Sequence, residues 1–70
     1  MPRKALEKAI SLFSSKTEFA IRLRTNRRNI YNWLAQGLPA EWVLRIEKAT
    51  QGQVSRYELR PDIYPMEKND

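Results

Sequence analysis

Two apolar stripes with helical spacing, on helices separated by only three polar residues, restrict this chain more than any other feature. The first carries Phe19, Ala20 and Leu23, and the second resumes at Ile30, Trp33 and Leu34. Apolar residues recurring three and four apart mark one face of a helix. Arg24-Thr25-Asn26 between the stripes is too short for a loop. Asn26 suits an N-cap, because its side-chain oxygen can accept from a free backbone N–H. Two helices joined so closely must cross steeply, which is the helix-turn-helix arrangement. The spacing predicts that the second of them projects Arg28, Tyr31 and Asn32 away from the stripe, with Arg27 on its flank.

The remaining punctuation fits an all-α chain. A first helix is predicted over about Arg3–Phe13, with Leu6, Ala9, Ile10 and Phe13 inward. Ser15 followed by Glu18 reads as a capping box, so the second helix starts at Lys16 or Thr17 and runs to about Arg24. The third spans about 27–36, with Gly37 at the C′ position where a left-handed residue is wanted. Pro39 suits the first turn of a fourth helix, which turns Val43, Ile46 and Ala49 inward and ends before Gly52. Ser55 with Glu58 is a second capping box, implying a short helix over Arg56 to Leu59. Pro61 and Pro65 then predict a short extended arm from Arg60 to Pro65, and Met66 to Asp70 a frayed polar tail. The expectation is one small all-α domain of about five helices over residues 1–65, with the motif at about 16–36.

Seventy residues without cysteine leave helix packing to hold a small core, unaided by disulfides or thiolate-bound metal. Histidine is also absent, and no glycine-rich phosphate loop occurs, so no enzyme, cofactor, metal or small-molecule substrate is implied. No apolar run approaches the length of about eighteen residues that a membrane span requires. These features predict a soluble, cytoplasmic binding protein. The net charge of +5 favours a polyanionic partner. Its distribution is sharper than its size: Lys16, Arg22, Arg24, Arg27 and Arg28 face Glu18 alone, whereas beyond Tyr57 the acids outnumber the bases. A positive field gathered on the motif is the electrostatic footprint expected for nucleic acid.

Arg27 and Arg28 are the sharpest chemical signal, because a guanidinium fork matches the two major-groove acceptors of guanine. The alternative is a solvated pair on an exposed helix. Asn32 could pair adenine through its amide, and Tyr31 could touch a thymine methyl or a phosphate. RNA is a rival partner, although its recognition relies on exposed aromatics, for which Tyr31, Trp42 and the later tyrosines are the candidates. Trp33 falls on the apolar side and reads as core, while Trp42 sits beside its stripe, either a lid or an interface anchor.

The chain resembles the Cro-like branch of the lambda-repressor-like helix-turn-helix family, and especially its small prophage-encoded YdaS-like members. The likeness rests on Ala20 inside the first motif helix, on Ile30 and Trp33-Leu34, and on Gly37. It extends through the run LPAEWVLRIEKATQGQVSRYELRPDIYP, and covers roughly Ala5 to Pro65. It implies a transcriptional repressor of phage or prophage origin that binds double-stranded operator DNA as a weak homodimer or a pair formed on DNA. It also implies that Lys16 and Thr17 meet phosphates at a helix N-terminus, with Arg22, Arg24 and Asn26 as further backbone contacts. Trp42, Tyr57, Ile63 and Tyr64 are the candidate dimer or partner surface. One alternative is an antitoxin-type protein that also grips a toxin. The chain departs from the family at Arg24, where glycine is usual, so either Arg24 is strained or the turn has another shape.

Overall fold

The computed structural model describes residues 3–65, which form five α-helices, one 3₁₀ turn and no strand. Helix α1 (Arg3–Ser11) packs on α3 (Arg27–Gln36) and α5 (Arg56–Leu59). Helix α2 (Lys16–Leu23) packs on α3 and on α4 (Val43–Ala49), and α4 in turn on α5. All five helices thus enclose one core. Phe19, Ile30, Val43, Ile46 and Val54 are fully buried at its centre, and Ala5, Leu6, Ala9, Ala20, Leu23, Trp33, Leu38 and Leu59 complete it. Leu38 and Val54 come from linkers, where no periodic pattern announces them. The tail from Met66 to Asp70 lies outside the described residues.

The caps explain most of the boundaries. Ser15 accepts from the Glu18 N–H at 3.1 Å, but the Glu18 carboxylate turns to Arg22 at 3.2 Å, so only half of the expected capping box forms. Ser55 and Glu58 form both halves, which starts a helix of only four residues. Helix α1 stops at Ser11, short of the expected Phe13, whose ring instead packs against Phe19 with centroids 5.2 Å apart.

Arg24 is the strained alternative. It adopts φ 59° and ψ 46°, and the Thr25 N–H reaches the Ala20 carbonyl at 2.9 Å while the Arg24 N–H reaches Ile21 at 3.0 Å. That pair of bonds is a Schellman motif, whose left-handed position favours glycine. A side chain there costs about 1 kcal/mol. Gln51 repeats the arrangement at φ 56°, so the fourth helix is closed by a strained glutamine one residue before Gly52. Gly37 differs again, with φ 109° and ψ 154°, a region that essentially only glycine enters.

Two expectations about prolines need correction. Pro39 precedes the 3₁₀ turn (Ala40–Trp42) as its cap, rather than standing inside the first turn of α4. The segment after α5 is a turn and not an extended arm: the Ile63 and Tyr64 N–H groups both return to the Arg60 carbonyl, at 3.1 and 2.8 Å. Pro61 is tolerated because it sits in the first turn, where its missing N–H is not needed. The Arg60 guanidinium fixes this turn, donating to both oxygens of Asp62, at 2.9 and 2.6 Å, and to the carbonyl of Leu38.

Candidate nucleic-acid interface

Helix α3 divides cleanly into two faces. Ile30 and Trp33 are buried, Asn29 and Leu34 half-buried, and Arg27, Arg28, Tyr31 and Asn32 exposed. Asn26 caps the helix by accepting from the Asn29 N–H at 2.9 Å, and the Asn29 side chain donates to the Thr25 hydroxyl at 2.7 Å. These bonds lock the turn that aims the N-terminal end of α3 outward. Tyr31, a large aromatic, remains 52% exposed.

The N-terminal ends of α2 and α3 are brought together. Arg27 donates to the Thr17 hydroxyl at 3.4 Å, and the Lys16 ammonium lies 5.7 Å from the centre of the Tyr31 ring. Lys16, Thr17, Arg27, Arg28, Tyr31 and Asn32 therefore form one surface around two helix N-termini. Free N–H groups and aligned dipoles there favour anions. Neither Arg27 nor Arg28 has an ion-pair partner among the described residues. Asn26 adjoins this surface, but its oxygen is committed to the cap, which leaves only its NH₂ to donate outward.

Two of the expected phosphate contacts lie elsewhere. Arg22 pairs with Glu18 and sits over the Phe13 ring at 5.7 Å, on a flank of α2 away from α3. Its spacing within the helix, not its charge, decides this. Arg24 stands in the turn and, with Arg22, borders a groove against α4 that also holds Arg45 and Lys48. Sequence reading passed over Arg45 and Lys48, although their three-residue spacing puts them on one helix face. It also passed over Ile21, 62% exposed and one turn beyond Thr17.

The proposed partner surface is not uniform. Trp42 is half-buried against Trp33, ring centroids 4.9 Å apart, with the Arg45 guanidinium 4.9 Å from its own ring. It is a lid on the core. Tyr64 also packs against the core, leaving Tyr57 and Ile63 exposed. Arg56 lies between the two tyrosine rings and binds Glu47 at 2.9 Å. That hydrogen-bonded guanidinium holds the Glu47 carboxyl below its ordinary range. Likewise, Arg60 lowers Asp62 to about 2. These groups are occupied with one another, in contrast to the cations of α3.

Among the described residues no helix is long and apolar enough to cross a membrane. A family model described as bacterial toxin YdaS matches residues 6–68, and the chain belongs to that family. No curated protein and no solved structure matches the chain.

Proposed function

We propose that the chain is a sequence-specific, double-stranded DNA-binding repressor of the Cro type, carried by a phage or prophage and acting in the bacterial cytoplasm. Helix α3 enters the major groove, Arg27, Arg28, Tyr31 and Asn32 address base edges, and Lys16 and Thr17 hold a phosphate at the start of α2. The observation that carries this reading is the pair of arginines at the N-terminus of α3, exposed and without a carboxylate partner among the described residues, beside a second helix N-terminus. A domain this small covers little DNA. Two copies on a pseudo-palindromic operator, half-sites about 10 bp apart, would supply the missing affinity. Nothing in the residue set favours catalysis over binding, since the chain has neither histidine nor cysteine.

The family's description names a bacterial toxin, which supports a second reading: the same surface binds DNA and by doing so inhibits growth of the host. An antitoxin role would instead need a further surface for a toxin, for which Tyr57 and Ile63 are the exposed candidates. The first two readings share α3 and so share a test. Arg28→Ala should cost about 1–3 kcal/mol on a selected cognate site and much less on random duplex. Arg28→Lys should restore non-specific binding better than specificity, because it keeps the charge and loses the fork. Site selection with the alanine variant should show relaxed preference at one symmetric pair of positions. A uniform loss of affinity with unchanged preference would make Arg28 a phosphate contact and remove base readout from this end of α3. If growth inhibition on overexpression survives Arg28→Ala, the inhibition does not run through DNA reading.

A further inference from the structure

Lys16 opens α2 in surroundings that offer a cation little. It is the first helical residue, at the positive end of the helix dipole, where a positive charge is disfavoured. Its neighbours in the chain do not relieve it. The Ser15 hydroxyl accepts from the Glu18 N–H, and the Glu18 carboxylate holds Arg22. Glu7, the one acid lining the groove between Lys16 and α3, is paired with Arg3, and Ile10, Leu34 and Ala35 of the same lining are apolar. No ion pair reaches Lys16 among the described residues. Its ammonium lies instead 5.7 Å from the centre of the Tyr31 ring, within the range at which the negative face of an aromatic attracts a cation.

We propose that Tyr31 is a positioning residue for the phosphate contact of α2: its ring face holds the Lys16 ammonium beside the start of α3. The inference rests on the reading that Lys16 meets a phosphate. A lysine is a point charge on a flexible stem, and fixing it on DNA costs rotamer freedom. A ring that confines the ammonium before DNA arrives removes part of that cost from the binding step. Tyr31 stands one turn after Arg27 and Arg28 in α3, so the same ring ties the phosphate contact of one helix to the reading edge of the other. The long bond from Arg27 to the Thr17 hydroxyl is a second tie between the two helix starts. Because Tyr31 is 52% exposed, one face can serve Lys16 while the hydroxyl rim stays open to a base edge. The attraction at so exposed a site is modest, which orients the ammonium without withholding it from a phosphate.

The test is the salt dependence of binding to a random-sequence duplex, measured in two backgrounds. Lys16→Ala should lower the log–log slope by about 0.9, the share of one phosphate contact. Tyr31→Leu should lower the slope and weaken binding about threefold in the wild-type background, and change neither in Lys16→Ala. Tyr31→Phe keeps the ring and should behave as wild type in both. Before DNA is added, the ring current should hold the Lys16 ε-protons upfield in wild type and Tyr31→Phe, and release them in Tyr31→Leu. An equal loss from Tyr31→Leu in both backgrounds would overturn the proposal, since the ring would then act on DNA directly. A loss in Tyr31→Phe that matches Tyr31→Leu would overturn it in favour of the hydroxyl. Lys16 ε-protons unmoved by Tyr31→Leu would overturn it as well. An unchanged slope in Lys16→Ala would remove the phosphate contact itself, and the proposal with it. Failure of base reading by α3 is registered separately, as unchanged base preference in Arg28→Ala.

Discussion

The arginines that begin α3 and those that follow α4 stand in opposite electrostatic surroundings. Arg56 binds Glu47 through both its side chain and its backbone N–H, and Arg60 binds Asp62 and the Leu38 carbonyl. Arg27 has only a long bond to a hydroxyl, and Arg28 extends into solvent. The same side chain is used for internal tethering in one region and left available in the other. A net charge cannot make this distinction, because it weighs all of these guanidinium groups equally. Partnering is therefore the better guide to where an external anion would sit.

The contrast can be broken most forcefully at Arg60. Arg60→Ala removes a two-pronged carboxylate pair and strands a half-buried carbonyl, so stability should fall by about 2 kcal/mol. In a domain this small that is a melting temperature lower by about 10 °C. Arg28→Ala should stay within about 0.5 kcal/mol of wild type by the same thermal unfolding. Comparable losses at both positions would erase the distinction between tethering and available arginines.

Arg24→Gly sharpens it at an intermediate case. Glycine relieves the left-handed strain but adds freedom to the unfolded chain, for a net gain of about 0.5 kcal/mol in denaturant melts. DNA affinity should meanwhile change little, without the fall of about 0.9 in salt slope that loss of one phosphate contact brings, because Arg24 borders the groove against α4 and not the surface of Lys16, Arg27 and Arg28. A destabilised glycine variant would show that the arginine side chain stabilises the turn. Lys16→Ala should weaken binding to all sequences alike and flatten the slope by about 0.9; an unchanged slope removes Lys16 from the phosphate set.

Acid should reach the two regions differently, and weakly. Glu47 and Asp62 both have folded-state values below their ordinary ones, Asp62 at about 2 against 3.8. Groups shifted downward contribute stability that is complete above the unfolded value and lost as pH falls through the folded one. Melting temperature should thus be flat from pH 8 to 5 and decline from about pH 4 toward 2. Glu47→Gln should flatten part of that decline, read by circular dichroism across the same range.

How much of this was legible beforehand depended on range. Ser15, Asn26 and Ser55 act on N–H groups three residues away, so they set the starts of α2, α3 and α5 in the sequence itself. The exposed edge of α3 follows from the 3.6-residue period alone. By contrast, the place of Arg22 over Phe13 could not be read from spacing, because Phe13 lies in the preceding turn and helical spacing does not say where that turn folds. The Arg60–Pro65 segment looked extended because prolines were weighed without the Arg60 bond to Leu38, twenty-two residues back. Arg45 and Lys48 became part of a groove only when α4 packed against the end of α2. Each of these depends on tertiary contacts that local patterns do not carry.

The central claim is that the cations at the starts of α2 and α3, which have no carboxylate partner among the described residues, mark the DNA face, and a residue-resolved NMR titration tests it most directly. Amide and side-chain shifts would be followed in the full chain as a duplex carrying a selected site is added. The account predicts that the largest changes fall on Lys16, Thr17, Arg27, Arg28, Tyr31 and Asn32, with Tyr57, Arg60 and Ile63 little moved. Changes centred on α5 and the turn after it, with α3 silent, would contradict it.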